Sequence, residues 1–113
     1  MNDKIYGYKI FNLNHCNRYG IKFKENTLYQ TSKFVQFGNL GHGFHMCTNI
    51  EDCFRYIDTS EGFSIASVVG SGHKQRVDDE YYGYYNMYVV SKLYINKFID
   101  RKTIFNIVVK RVS

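Results

Sequence analysis

The chain has 113 residues, a formal net charge of +5, no proline, no tryptophan, 11 tyrosines and 9 phenylalanines. This length favours one domain around a single core, and so many aromatic residues exclude a disordered tail. No run of roughly 18 apolar residues is present, which excludes a membrane-spanning helix. The start of the sequence also lacks the apolar region of a signal peptide. We therefore predict a single domain over residues 1–113 in an intracellular protein.

The number and spacing of the cysteines also predict an intracellular protein. Cys16, Cys47 and Cys53 are an odd number and lack the spacing of a disulfide scaffold. We interpret them as reduced thiols.

Two β-elements are predicted before the most unusual motif. Residues 6–12 form a strand, because Tyr6, Tyr8 and Ile10 alternate with residues of the opposite face. Residues 20–30 have the pattern of a short hairpin, whose second strand is residues 27–30.

The motif LGHGFHMC, residues 40–47, places two histidines and a cysteine within six residues. Zinc prefers four ligands in spaced pairs. His42 and His45 would form one pair, but the neighbours His15 and Cys16 cannot readily bind one ion together, and Cys53 belongs to an apolar helical face. We therefore predict no bound metal and no cofactor.

A second interpretation makes His45 and Cys47 the base and nucleophile of a thiol enzyme. Alternation along a strand puts both on one face, and Cys47 stands just before a predicted helix N-terminus, which would lower a thiol pKa. The structural interpretation, which we favour, puts Phe44 and Met46 in the core. His45 then donates to a backbone carbonyl and Cys47 packs.

One clear helix is predicted over residues 49–58. Thr48 and Glu51 have capping-box spacing. Four apolar residues follow helical spacing and form its buried stripe, with Asp52 outside it: Ile50, Cys53, Phe54 and Ile57.

The second half of the chain is predicted to be rich in strands. Residues 62–72 form a strand of small residues, residues 73–86 a polar loop, and residues 87–99 and 103–112 two β-rich segments joined by a turn. The predicted fold class is α+β: a single small domain with an antiparallel or mixed sheet and one clear helix.

Four motifs carry a family resemblance: YGYKIFN, then GFHMC, then a helix ending FRYI, then SIASVVGSG. Together they resemble a group of small domains of phages and other large DNA viruses, with a GYK-F start and a GFH-C core. The resemblance covers roughly residues 6–72. It implies a viral origin, with the virion or the host cytoplasm or nucleus as the location, and it carries no assigned activity.

A tyrosine cluster follows three acidic residues. Its members are candidate binding residues: Tyr81, Tyr82, Tyr84, Tyr85 and Tyr88. Exposed tyrosines would bind a protein, whereas buried ones would complete a core without tryptophan. The adjacent acids oppose the approach of phosphate.

The whole charge excess lies in residues 91–113, where six cations face Asp100 alone, six minus one giving +5. These cations are also candidate binding residues: Lys92, Lys97, Arg101, Lys102, Lys110 and Arg111. They predict weak, non-specific binding of nucleic acid, or else lysines that guard an edge strand.

The favoured function is that of a non-enzymatic, small basic binding or packaging protein, acting through the tyrosine cluster and the basic segment. The alternatives are a small nucleotide-directed or thiol enzyme centred on His45 and Cys47, and a non-specific nucleic-acid-associated protein. We also expect a homodimer, formed through residues 81–88 and an edge strand at residues 103–112, and no membrane contact.

Overall fold

A computed structural model describes residues 3–12, 15, 21–32, 43–54, 62–79 and 84–112. Side chains are described at all of these except 78–79, 84–85 and 108–112. The elements in chain order are β1 (Ile5–Asn12), β2 (Thr27–Gln30), β3 (Phe44–Cys47), α1 (Ile50–Cys53), β4 (Phe63–Asp79), β5 (Tyr84–Ile99) and α2 (Arg101–Val112). The fold is α+β and dominated by its sheet, as the sequence predicts. Neither helix in the described part of the chain has the length and apolar composition needed to cross a bilayer.

The five strands form one antiparallel sheet that closes on itself. β5 pairs with β4 along one edge, and along the other edge with β3 and then β2. β4 also pairs with β1, and β1 meets β3 at Tyr8 and Cys47. β1, β3, β5 and β4 therefore form a ring, with β2 attached to the outer edge of β5.

Side chains that point into the ring form the inner core. All are buried: Phe11, Phe23, Met46, Ala66, Val68, Val90, Leu93 and Ile95. Phe23 lies before β2 and its ring packs 5.1 Å from that of Phe11. Gly70 leaves space for the Met46 side chain, because a Cβ at this position would collide with the Met46 sulfur.

Side chains on the outside of the ring form the outer core wherever a helix covers them. Its buried members come from strands and both helices: Cys47, Ile50, Cys53, Ile65, Met87 and Ile104. The alternation predicted within β3 is confirmed, since Met46 belongs to the inner core and Cys47 to the outer core.

The predicted helix at residues 49–58 is confirmed at its start and corrected in its cap. α1 begins at Ile50, with Asn49 as the N-cap and no side-chain capping bond. The proposed capping box of Thr48 and Glu51 is therefore wrong. The predicted stripe is confirmed at Ile50 and Cys53, both fully buried. The helix is shorter than predicted, because α1 ends at Cys53 with Phe54 as its C-cap; residues 55–58 lie outside the described residues.

Two β predictions before β3 have different outcomes. The strand at residues 6–12 is confirmed as β1, and residues 27–30 are β2. The hairpin at residues 20–30 is corrected in its partner, because β2 pairs with residues 92–95 of β5. In the segment before β2, Phe23 instead packs in the inner core. Burial of this aromatic ring stabilises the fold more than the pairing of one edge strand would.

The predicted polar loop at residues 73–86 is wrong over most of its length. β4 continues to Asp79 and β5 begins at Tyr84, so the polar residues form a long hairpin. Polar residues are stable there because residues 72–76 are exposed, while their partners in β5 carry the buried apolar side chains. Three register shifts interrupt the hairpin.

The predicted edge strand at residues 103–112 is wrong, because these residues form α2. The Asp100 carboxylate accepts a hydrogen bond from the Thr103 backbone N–H at 2.7 Å, and the Asp100 carbonyl accepts one from the Ile104 N–H at 3.1 Å. Ile104 is buried and Ile107, three residues later, packs on the outer core. A cap and an apolar face at helical spacing outweigh the strand preference of β-branched residues.

Candidate functional site on the open face of the sheet

A row of four apolar side chains crosses the outside of the sheet. Tyr6 in β1 is in register with Val69 in β4, Val69 with Tyr94 in β5, and Tyr94 with Leu28 in β2. Tyr6 is 64% exposed and Leu28 is 51% exposed. Val69 and Tyr94 are half-buried between them.

The row is exposed because the helices cover only the other half of the outer surface. α1 and α2 pack over the outer core, around Cys47, Ile65 and Ile99. The neighbouring row of the same four strands, which includes Leu93, points inward and packs in the inner core.

Polar side chains border the row on both sides. On one side Lys92 is in register with Gln30 and with Ser71. On the other side β5 contains one extra residue, so that Asn96 and Lys97 both lie opposite Ser67.

Hydrogen bonds organise the second border. The Asn96 amide donates to the Ser67 hydroxyl at 3.1 Å, and that hydroxyl donates to the Lys97 carbonyl at 3.4 Å. Both lysines at the borders, Lys92 and Lys97, are exposed.

We define the open face by the ten residues of these rows: Tyr6, Leu28, Gln30, Ser67, Val69, Ser71, Lys92, Tyr94, Asn96 and Lys97. None of the ten is acidic.

A groove of about 380 Å³ runs beside Tyr6 on this face. Tyr8, Thr48, Ser67 and Asn96 contribute to its walls. Its volume is within the range of small-molecule sites, and its walls offer hydroxyl and amide groups beside aromatic rings.

The Tyr94 ring is held at its polar end. Its hydroxyl donates to the Asn26 side-chain carbonyl at 3.3 Å. Asn26 has a positive φ of 56° in the turn before β2, a conformation that asparagine tolerates well. This contact fixes where the ring lies on the open face.

The candidate catalytic residues His45 and Cys47 lie in β3, where Cys47 belongs to the outer core. Cys47 is 3% exposed and Cys53 is fully buried. A hydrogen bond between the Cys53 thiol and Cys47, together with burial, raises the pKa of Cys53 far above the usual range. The His45 backbone carbonyl accepts a hydrogen bond from the Lys9 ammonium at 2.8 Å.

The tyrosine cluster is described only in part. Tyr88 is half-buried and packs against the inner core, so it belongs to the fold. Tyr84 and Tyr85 begin β5, but their side chains, like the residues Tyr81 and Tyr82, lie outside the described residues.

The six predicted cations divide between two regions. Lys92 and Lys97 belong to the open face. Arg101 and Lys102 begin α2, where the Arg101 guanidinium lies 5.1 Å from the centre of the Phe63 ring. Lys110 and Arg111 belong to α2, but their side chains lie outside the described residues.

Among the described residues, no three histidine, cysteine or acidic side chains are grouped as metal ligands would be. The proposed ligands His42 and Cys16 lie outside this part of the chain. The absence of a metal therefore stays a prediction.

Two features of the structure were not predicted from the sequence: the buried carboxylate of Asp52 and the exposed row from Tyr6 to Leu28. Asp52 is 8% exposed and accepts hydrogen bonds from the amides of Asn86, at 3.1 Å, and Asn49, at 3.4 Å. The row from Tyr6 to Leu28 was missed because its members come from four strands whose register no single segment reveals. The part of the row that the sequence does indicate is Tyr6, which the alternation of β1 places on the face opposite Gly7.

A family model described as Domain of unknown function (DUF7666) matches residues 5–101. This span contains all the residues of the open face. Among curated proteins and among solved structures, no match was found.

Proposed function

We propose that this chain, which belongs to the family described as Domain of unknown function (DUF7666), is a non-enzymatic binding protein that holds an anionic partner on its open face. The observation that carries this proposal is the exposed row from Tyr6 to Leu28 with Lys92 and Lys97 at its two borders. Two of the four large hydrophobic side chains that are more than half exposed among the described residues, Tyr6 and Leu28, lie in this one row.

Apolar side chains grouped across neighbouring strands mark contact surfaces more strongly than single exposed residues do. Tyrosine adds a large, rigid contact area with a polar end. Because the open face has two lysines and no acidic residue, its charge favours a negative partner.

The burial of Cys47 and Cys53 supports a binding protein over a thiol enzyme. A catalytic thiol needs access to substrate and a lowered pKa. Here the candidate nucleophile Cys47 is buried in the outer core and lacks that access. The enzyme alternative centred on His45 and Cys47 is therefore the less favoured one.

The setting we propose is a virus particle or the cytoplasm or nucleus of an infected cell, as the resemblance to domains of phages and other large DNA viruses implies. A packaging role in that setting requires contact with a polyanion, which the open face would supply. The tyrosine cluster at residues 81–88 is the proposed second surface, for a protein partner or a second copy of the chain.

A heparin column tests the proposal, because heparin is a flexible polyanion without bases. The double variant Lys92→Gln, Lys97→Gln removes both cations of the open face. We expect it to elute at clearly lower salt than the unchanged protein, since each lost ion contact reduces the salt-dependent attraction.

The matched control is Lys22→Gln, Lys102→Gln, which removes the same charge from exposed lysines outside the open face. This control is expected to elute close to the unchanged protein. Equal shifts for both double variants would show attraction by net charge alone and would refute a binding site on the open face.

A further inference from the structure

We infer that the anionic partner is a single-stranded nucleic acid, whose unpaired bases stack on Tyr6 and Tyr94 while Lys92 and Lys97 contact its phosphates. This inference rests on the proposed function and names the partner of the same face. It keeps Lys92 and Lys97 from the basic segment that the sequence predicts to bind nucleic acid, and it adds Tyr6 and Tyr94 as the surface on which the bases stack.

The two rings have the placement that a stacking platform requires. Tyr6 and Tyr94 point to the same side of the sheet and are separated by β4. Neighbouring strands lie about 4.7–4.9 Å apart, so the two positions are about 10 Å apart across the sheet. Val69 fills the space between them and provides an apolar floor.

Stacking on such rings tolerates any sequence, because every base has a π-face. Tyr6 is 64% exposed, so its ring is available to a base from solution. Tyr94 is more buried and its hydroxyl is held by Asn26, so it offers a ring that is already in position. Leu28 extends the apolar row beyond Tyr94.

The borders of the row provide contacts for the backbone of the strand. Lys92 and Lys97 lie on opposite sides of the row, and a chain crossing the row diagonally would reach both ammonium groups. The amides and hydroxyls of Gln30, Ser71 and Asn96 would donate to sugar and base oxygens. The groove beside Tyr6 would receive the base that follows along the strand.

The same features argue against the two main competitors. A duplex hides the faces of its bases, so it would use the lysines and leave the apolar row in water. A protein partner would use the row, but interfaces carry their charges as matched pairs, and the open face has a lysine at each border. The nearby Glu25 carboxylate accepts a hydrogen bond from the Phe98 backbone N–H at 2.9 Å, beside Lys97. A flexible chain of bases and phosphates matches both the row and its borders.

Fluorescence anisotropy with a labelled oligo(dT) of about 12 nucleotides, at about 50 mM salt, tests the inference. A duplex of equal length is the competitor. We expect the single strand to bind roughly tenfold or more tightly than the duplex, because only the single strand can stack.

Substitution of the rings separates stacking from charge. We expect Tyr6→Ala to weaken oligo(dT) binding by about five- to a hundredfold, and Tyr6→Phe to retain most of it. Tyr94→Phe loses the contact with Asn26 but keeps the ring, so it should bind better than Tyr94→Leu. Phe105→Ala is the control, because Phe105 is 66% exposed on α2, away from the open face.

Because Tyr6 is largely exposed, Tyr6→Ala is expected to fold, and its melting temperature would verify this. If Tyr6→Ala binds oligo(dT) like the unchanged protein, or if duplex and single strand bind equally, the inference is overturned. The proposed function would survive that result if the lysine pair still shifts elution from heparin, and it fails with the inference if that shift is also missing. A two-chain mass that Tyr6→Ala reduces to one chain would assign the face to self-association and overturn the inference.

Discussion

Gly7 shows at the scale of one residue why β1 and β3 can meet. A Cβ at this position would collide with the backbone carbonyl of Cys47. β1 joins β3 only around Tyr8 and Cys47, so the space left by Gly7 is what closes the ring.

We therefore expect Gly7→Ala to lower the free energy of unfolding by about 1–3 kcal/mol, because the added methyl group forces the strands apart. Urea unfolding monitored by circular dichroism measures this change. Gln30→Ala, at an exposed strand position, is the control and should differ little from the unchanged protein. A neutral Gly7→Ala would show that the ring does not depend on this contact.

The two buried thiols also make a prediction for single residues. Cys53 is a fully buried free thiol among apolar side chains, so Cys53→Ser places a hydroxyl in an apolar site and should cost about 1–3 kcal/mol. Cys47→Ser, at the edge of the same core, should cost less. Equal, small effects in urea would show that the outer core tolerates a hydroxyl at both positions.

The raised pKa of Cys53 adds a pH dependence with a definite sign. The folded protein keeps this thiol neutral, while the unfolded chain releases its proton near the ordinary pKa of 9.0. The stability contribution is therefore complete below about pH 9 and declines as the pH rises further. Cys53→Ala removes this decline, so its unfolding free energy should fall less steeply above pH 9 than that of the unchanged protein.

At the scale of elements, the start of α2 depends on Asp100 as its N-cap. Asp is a common N-cap residue, but the β-branched residues that follow it favour the prediction of a strand. Asp100 accepts hydrogen bonds from Thr103, and these bonds hold the pKa of its carboxyl below the usual value of 3.8. The cap is therefore present above pH 3.8 and is lost as the pH falls through the lowered pKa. Arg101 and Lys102 in the first turn oppose the helix dipole, which makes the cap more important.

We expect Asp100→Ala to reduce the helical signal in far-ultraviolet circular dichroism and to lower the melting temperature near neutral pH. The difference from the unchanged protein should disappear at acid pH, where the unchanged cap is protonated. Asp3→Ala removes an exposed carboxylate that precedes β1 and serves as the control. A constant difference across the acid range would assign the effect to packing and not to the cap.

Elements with a strong local signal were predictable from sequence. β1, β2 and the start of α1 have clear alternation or helical spacing within a few residues, and the structure places them as expected. The continuation of β4 and β5 through residues 73–86 was not predictable, because polar side chains on an exposed hairpin resemble a loop. Its support comes from the partner strand, as where Val77 lies opposite Met87.

Only some residues of the open face could be predicted from the sequence. Lys92 and Lys97 were identified by charge, but the position of Tyr6 beside Val69 and Tyr94 depends on register between distant strands. Helical spacing places Asp52 outside the buried stripe of α1. The structure nevertheless buries its carboxylate, which accepts a hydrogen bond from the Asn86 amide in a distant strand. Local periodicity carries no information about such partners.

At the scale of the whole molecule, the outer surface of the closed ring has two halves, one covered by helices and one not. Helices cover the half around the outer core, and the open face remains in contact with water in the described part of the chain. The bond from the Tyr94 hydroxyl to Asn26 holds that ring in position, which favours binding by lowering the entropy lost on association.

Self-association is a prediction at this scale. Residues 103–112 form part of α2, so they cannot form a homodimer by pairing edge strands. The remaining route is the tyrosine cluster. We expect light scattering over a hundredfold dilution to show a two-chain mass, and Tyr84→Ser, Tyr85→Ser to reduce it to one chain. A one-chain mass at every concentration would contradict the homodimer.

The most direct test of the open face as a site for single strands is ultraviolet crosslinking of the protein to oligo(dT), followed by mass spectrometry of the peptides. Stacked bases react with the ring they lie on, so the crosslinked residue reports the contact itself. We predict crosslinks at Tyr6 and Tyr94, which are lost in the Lys92→Gln, Lys97→Gln variant. Crosslinks confined to residues 81–88 or to α2, with the peptides of Tyr6 and Tyr94 unmodified, would contradict the account.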